Sequence, residues 1–368
     1  MGHKKLRYIS LFAGVGGFDL GLERAGHECV AQVEWDRNAS GVLKRRWSDV
    51  PLFCDVTKVS ADDLPDCDLI TYGFPCQDLS VAGKRKGLDG KRSGLFYEAT
   101  RIIKGLADRA IRRGGVGGGR FIAIAENVRG LLSSGDGYDF ARCIRELHDI
   151  GASEVGWTVF DSQYFGVAQR RKRVFIVSDF GGESVDEILA FSEGVSGNPA
   201  PSREAWKGTA GDVGEGFTAS SFGGYERGCG TLRSQGGDLG GGSETLAVNM
   251  IPQAKAFTAS ARSNKMAWEG DISGTINCQM NSDSSNLQMG VRENLTVRRL
   301  TPIECERLQG FPDNWTSEKM ELILEGNEWK ATGKVVKQAD GSRYAQMGNA
   351  VTVSVAEWIG KRIGGIFV

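Results

Sequence analysis

Histidine is the scarcest chemistry-bearing residue in this chain: there are three in 368 residues. None of the eight cysteines forms a Cys-x-x-Cys pair. Few imidazoles and no paired thiols argue against a zinc centre and against a disulfide framework, so no metal is expected. The thiols read as reduced cytosolic cysteines, most of them small core residues. No apolar run reaches ~18 residues, so no membrane span is expected. The opening MGHKKLRYISLFAG lacks a signal-peptide layout, and Leu6 stands where a myristoylation signal wants Ser or Thr. The expectation is a cytoplasmic protein. The net charge is only −1. An anionic partner would therefore be held by local clusters rather than by a global field.

What is present is a rhythm. From Leu6 to about Asp179, short apolar runs alternate with amphipathic stretches. YISLF, ECVAQVEW, DLITYGF, FIAIAEN and RVFIVSDF read as strands. GFDLGLERAG, ASGVLKRRW, LFYEATRIIKGLADRAIRR and YDFARCIRELHDIG read as helices. Repeated β-α-β units predict an α/β fold with an open parallel sheet covered on both faces. The strands are nearly continuously apolar, as doubly covered strands should be.

The composition then shifts. Residues 208–242 hold 13 glycines and few large apolar residues, which is poor helix material and supplies little core. The segment also repeats weakly. GFTAS at Gly216–Ser220 is echoed by AFTAS at Ala256–Ser260, and Leu246–Val248 is loosely matched by Leu287–Val291. Two degenerate copies of a hairpin-like unit are expected. A helix bounded by prolines follows in RRLTPIECERLQGFPD, and an apolar C-terminal helix should dock back on the main body.

The first strand runs into Phe12-Ala13-Gly14-Val15-Gly16-Gly17 and then a helix. Such a turn lets backbone N–H groups approach a ligand. Asp19 sits where a dinucleotide fingerprint would have its third glycine, which counts against NAD. The second strand ends at Glu34-Trp35-Asp36 and the third near Asp55. Glu34 suits a ribose diol, Trp35 a purine face, and Asp55 an adenine amino group. That set fits a nucleoside cofactor such as S-adenosylmethionine without requiring a diphosphate.

Cys76 follows the strand Leu69–Tyr72 at the carboxyl edge where α/β sheets bind ligands. Pro75 stiffens the platform beneath it. The following stretch Gly83–Gly94 carries Lys84, Arg85, Lys86, Lys91 and Arg92 against one Asp. Lys84, Arg85 and Lys86 could favour the Cys76 thiolate if this stretch folds over it. Gln169, Arg171 and Arg173 alternate, so period 2 puts them on one strand face.

Five motifs now stand in order: Phe12–Gly17, Phe74-Pro75-Cys76-Gln77, Glu126-Asn127-Val128, Gln169–Arg173 and Gly348-Asn349-Ala350-Val351. Together they closely resemble the C5-cytosine DNA methyltransferases, over nearly the whole chain. The glycine-rich middle is idiosyncratic, as that family's target-recognition region usually is. The Asp-Pro-Pro-Tyr type of motif found in amino-methylating relatives is missing.

The resemblance implies a Rossmann-like SAM-dependent methyltransferase sheet with a smaller, irregular target-recognition domain. Residues 1–186 plus 340–368 would form the catalytic domain and 187–339 the small domain. It implies methyl transfer to C5 of a flipped cytosine in a specific double-stranded DNA sequence. Cys76 would add to C6, Glu126 would serve as the acid partner at N3, and Arg171 and Arg173 would complete the catalytic set, with Arg173 favoured for the O2 edge of the base. Phe12, Gly14, Gly16, Gly17, Glu34, Trp35, Asp55, Pro75, Leu95, Asn349 and Val351 would line the cofactor pocket. Lys84, Arg85, Lys86, Lys91, Arg92, Gln169, Thr231, Arg233 and Thr275 would contact DNA. Thr231-Leu232 and Thr275-Ile276 resemble the Thr-Leu pair of the family's recognition domains, so two recognition units are expected. A monomer is expected, in a bacterial or phage-infected cell, with a cognate restriction endonuclease as companion. The alternative is a tRNA cytosine-5 methyltransferase on the same frame, whose Cys-Phe-Thr signature this chain lacks.

Overall fold

A computed structural model describes residues 4–74, 94–114, 119–190 and 300–367 in full, and seven strands between 215 and 299 by their backbone. The amino-terminal body contains β1 (Arg7–Leu11), α1 (Gly17–Arg24), β2 (Glu28–Val33), α2 (Arg37–Arg46), β3 (Leu52–Phe53) and β4 (Leu69–Tyr72). It continues through α3 (Gly94–Arg113), β5 (Phe121–Val128), α4 (Tyr138–Asp149), β6 (Glu154–Asp161), β7 (Lys172–Phe180) and α5 (Val185–Leu189). After the strands β8 (Glu215–Ala219), β9 (Tyr225–Arg227), β10 (Thr245–Val248), β11 (Lys255–Ser260), β12 (Met266–Gly270), β13 (Leu287–Arg292) and β14 (Val297–Arg299), the chain returns to the body. It does so as α6 (Pro302–Leu308), β15 (Glu318–Glu325), β16 (Glu328–Lys337), α7 (Asp340–Asn349) and α8 (Val353–Ile366).

The main sheet has nine strands in the order β15-β16-β3-β2-β1-β4-β5-β7-β6. Neighbours from β3 across to β5 are parallel, but β7 runs antiparallel to both β5 and β6. The sheet is thus mixed rather than wholly parallel. The reversal has a use: it brings the start of β7 to the same edge as the carboxyl ends of β1, β2, β4 and β5.

Two apolar layers hold this sheet. Ile9, Leu11, Val33, Ile70 and Ala123 face α3 and α4 on one side, through Phe96, Ile103, Leu106 and Leu147. On the other, Tyr8, Leu69, Ile122 and Val177 face α1 and α8 through Leu22, Val355, Ile359 and Ile363. Each fully buried side chain of this size contributes about 1.5–3 kcal/mol, whereas exposed ion pairs such as Lys5–Glu28 contribute ~0–1 kcal/mol. Burial decides the fold. The docked apolar final helix is α8, as its sequence requires.

The segment after Arg299, expected within a small domain of 187–339, makes extensive contacts with the main body. Thr301 caps α6 in a reciprocal pair with Glu304, and Pro302 opens it. Leu300, Cys305, Leu308, Phe311 and Trp315 then bury against Val15, Leu20, Val42 and Met347. β16 joins the main sheet beside β3. Residues 300–337 therefore pack with the catalytic body.

The intervening strands form two smaller antiparallel sheets, β14-β10-β8-β9 and β12-β11-β13. The repeated strings fall on β8 and β11. Each is flanked by the next two strands in sequence, giving β9-β8-β10 and β12-β11-β13. The weak echo in the sequence is thus matched by the same three-strand topology twice.

Candidate active site

The turn after β1 is built on left-handed backbone: Phe12, Gly14 and Gly16 have φ of 54°, 58° and 85°. Glycine meets that demand without strain; Phe12, which is not glycine, meets it at a cost. Gly17 has a different constraint, because a Cβ there would lie 2.4 Å from the Val351 carbonyl oxygen. The turn therefore sits directly against the chain leading into α8. Space over Gly14 is open among the described residues: apart from its chain neighbours, none has an atom within 4 Å of an added Cβ.

Glu34, at the end of β2, fits under this turn. Its Oε2 accepts from the Gly14 N–H at 2.8 Å and its Oε1 from the Asp36 N–H at 2.8 Å. Burial raises its carboxyl from 4.5 to about 6, against the pull of those backbone donors. Asp36 caps α2 through the Ala39 N–H. Trp35 beside it is 69% exposed, a free aromatic face at the rim. Asp55 closes the next short turn: its Oδ1 accepts from the backbone and hydroxyl of Thr57. The Lys58 ammonium stands 3.9 Å from Oδ2. These features fit a nucleoside: open space over a glycine turn, a carboxylate for a diol, and an aromatic face.

Asp19 explains the missing third glycine. Its side chain is wholly buried, accepting from Gln32, Cys29 and Ser10. Burial raises its carboxyl too. It ties α1 to the sheet, and a dinucleotide-type helix approach is replaced by this polar plug.

The second half of the site lies across β4, β5 and β7. β4 ends at Tyr72, and Phe74 is buried against Phe96 with ring centroids 5.0 Å apart. The Asn127 amide donates to the Phe74 carbonyl at 3.4 Å, anchoring the last described residue before Pro75. Glu126 Oε2 would be 3.8 Å from a Cβ on Gly73, so this carboxylate stands beside the chain leaving β4. Arg173 Nε stands 3.0 Å from Glu126 Oε1. That ion pair is a contact of charge: Glu126 Oε1 is buried and has no hydrogen-bond donor among the described residues. The oxygen therefore keeps acceptor capacity that a donor on a bound base could use.

Gln169 and Arg171 precede β7, which begins at Lys172, yet their burial keeps the alternation: both are buried, while Arg170 and Lys172 are exposed. Arg171 is buried and donates to the Gly348 and Ala350 carbonyls at 3.1 and 3.0 Å. Desolvation, with Arg173 next, lowers it to about 9, so it is still cationic at neutral pH. It acts as a strut to the Gly348–Val351 segment. Gln169, expected at DNA, is fully buried. Among the cofactor candidates, Leu95 packs on the main core, Val351 meets the glycine turn and Asn349 ends α7, exposed. A cleft of about 440 Å³ between Arg129 and Lys172 opens at the same edge, beyond β7 from the cofactor turn. No cluster suited to a metal ion exists among the described residues. Pro75, Cys76, Lys84, Arg85, Lys86, Lys91, Arg92, Thr231, Arg233 and Thr275 lie outside the described residues.

Comparison with known proteins identifies the family. Residues 6–365 match the family model described as C-5 cytosine-specific DNA methylase. The chain belongs to that family. The type II methyltransferase M2.BsuMI of Bacillus subtilis is 30% identical over 361 residues, covering 97% of this chain and 75% of the relative. M.HpaII of Haemophilus parainfluenzae is 25% identical over 98% of this chain and 89% of its own. Among solved structures, the Dnmt2 methyltransferase of S. pombe superposes with a TM-score of 0.58 over 98% of both chains at 16% identity. A putative DNA modification methyltransferase encoded within an E. coli prophage gives 0.52 at 18%, covering 98% of this chain and 99% of its own. Those two likenesses show the fold alone. As a C-5 cytosine methylase, the protein is an enzyme that methylates C5 of cytosine in DNA, with S-adenosylmethionine as donor.

Proposed function

We propose that this methylase acts through a covalent adduct between Cys76 and C6 of a cytosine swung out of the duplex at a specific double-stranded sequence. The observation that carries the reading is Glu126: a buried carboxylate beside Gly73, paired with Arg173 and short of a hydrogen-bond donor. C5 of cytosine is a weak carbon nucleophile. Addition of the Cys76 thiolate forms the S–C6 bond and moves the C5=C6 electrons toward N3, where the Glu126 carboxyl delivers a proton. Arg173 holds Glu126 and the O2 edge of the ring. C5 then takes the methyl group that S-adenosylmethionine supplies, and a thioether departs. A base removes the C5 proton, the C5=C6 bond re-forms, and the thiolate leaves.

Glu34 orients the ribose diol, Trp35 covers the purine, and Asp55 meets the amino group. Pro75, Leu95, Asn349 and Val351 complete the wall. Flipping costs a few kcal/mol, which contacts from Lys84, Arg85, Lys86, Lys91 and Arg92 to phosphates offset. The segment from 191 to 299 reads the sequence. Its two three-strand units favour two recognition modules, centred on Thr231 with Arg233 and on Thr275. The enzyme works as a cytoplasmic monomer, and the type II relatives suggest a cognate endonuclease.

One experiment tests these points together: sequencing of 5-methylcytosine in DNA from cells expressing the protein. A fixed sequence context should be methylated, and Cys76→Ala should erase it. Thr231→Ala and Thr275→Ala should erase different contexts. Loss of one shared context in both variants contradicts the two-module reading; labelling confined to transfer RNA contradicts the substrate.

A further inference from the structure

The hairpin β15–β16 is placed where the proposed mechanism gives it no role. We propose that its turn is a positioning element for the adenosine half of the cofactor site. Asn327 and Trp329 fix the backbones of Asp55 and Glu34, and through them set the affinity for S-adenosylmethionine. The inference rests on the reading that Glu34, Trp35 and Asp55 hold that cofactor.

Three hydrogen bonds converge on one residue. Asn327 accepts from the Cys54 N–H through its backbone carbonyl at 2.8 Å and from the Asp55 N–H through Oδ1 at 2.9 Å. Its Nδ2 donates to the Asp55 carbonyl at 3.0 Å. β3 is only Leu52–Phe53, and its sole ladder pair with β16 is Phe53 with Glu328. Beyond Phe53 the strand has no ladder partner of its own there. The Asn327 side chain takes over that task for Asp55, as a strand backbone would. Two positions along, the Trp329 indole N–H donates to the Glu34 carbonyl at 3.0 Å, and the Glu34 N–H donates to Phe53 at 2.9 Å. Both acids are thereby locked to one hairpin.

The hairpin is itself anchored against α2. Leu322 and Trp329 bury with Leu43, Leu52 and Cys54. Arg37 donates to the Leu322 carbonyl, Arg45 pairs with Glu318 at 2.5 Å, and Lys319 meets Asn38. Gly41 allows the close approach, since a Cβ there would lie 2.6 Å from the Met320 carbonyl oxygen. Asp36, directly after Trp35, caps α2. The Glu34–Asp36 corner is held from one side by its own helix cap and from the other by the hairpin. A pocket fixed in advance loses less freedom on binding and so binds more tightly.

The test is calorimetric binding of S-adenosylmethionine, S-adenosylhomocysteine and adenosine to the full chain without DNA, alongside steady-state kinetics. Asn327→Ala should raise all three dissociation constants by roughly tenfold. It should raise KM for the cofactor to match, with kcat at saturation unchanged. Asn327→Asp, which keeps the acceptor and loses the donor, should fall between. Trp329→Phe, which keeps the ring and loses the N–H, should cost a few-fold and covers the case in which the alanine variant fails to fold. Glu34→Ala serves as the reference. If it weakens binding while Asn327→Ala and Trp329→Phe only lower thermal stability, the hairpin role is overturned. If Glu34→Ala also binds normally, the cofactor assignment falls and takes the hairpin role with it.

Discussion

The two flanks of the sheet's carboxyl edge handle an acid in opposite ways. On the cofactor flank, Glu34 receives neutral backbone N–H groups, and burial pushes its carboxyl up to about 6. On the base flank, Glu126 stands beside the Arg173 guanidinium. An acid held by backbone N–H groups, with no cation paired to it among the described residues, suits a neutral diol and stays sensitive to pH. An acid balanced by a cation suits a ring that gains and loses charge during reaction. Under the proposed function, the same edge of one sheet would separate binding from chemistry by the partner each carboxylate is given.

The comparison can be broken most severely at Glu126. Glu126→Gln should lower kcat by ~10²–10⁴-fold, the usual worth of a general acid, and leave S-adenosylmethionine binding within twofold. An equal loss of cofactor binding would dissolve the division between flanks. The two arginines sharpen it next. Arg173→Ala should cut turnover by ~10²-fold with little change in melting temperature. Arg171→Ala should unfold more readily, by roughly 2–4 kcal/mol, because it strands the Gly348 and Ala350 carbonyls in the interior. Thermal melts and kinetics on both variants separate strut from catalyst. The smallest effect is one of pH. Glu34 is mostly ionised at pH 7 and takes up a proton as pH falls through about 6. The neutral acid is a poorer acceptor for the diol. The dissociation constant for S-adenosylmethionine should then rise up to about tenfold per unit below that point, and Glu34→Gln should flatten the profile.

Much of this was legible beforehand, for physical reasons. β1, β2, β4, β5 and β7 are buried on both faces, so their apolar runs are nearly unbroken in the sequence. α1, α3 and α4 carry the matching helical stripe. The glycine turn and Glu34 could be placed because a tight turn and a strand end are local events. Three things were harder. β3 is two residues long, too short to show a period. The β15–β16 hairpin alternates charges with half-exposed apolar residues and was absorbed into the supposed small domain. Its one local cue is Gly326-Asn327 between alternating runs, a hairpin turn signal. The glycine-rich stretch gave away only its repeat, since few apolar residues leave little pattern from which to infer packing.

The most direct test of the central claim is the mass of the protein after incubation with S-adenosylmethionine and duplex DNA carrying 5-fluorocytosine at the methylated position. Fluorine at C5 leaves no proton to remove, so the thiolate has no route out. The account predicts a denaturation-resistant adduct of one enzyme with one DNA strand, joined at Cys76 and absent in Cys76→Ser. A wild-type protein that turns over normal DNA yet forms no adduct with the fluorinated duplex would contradict it.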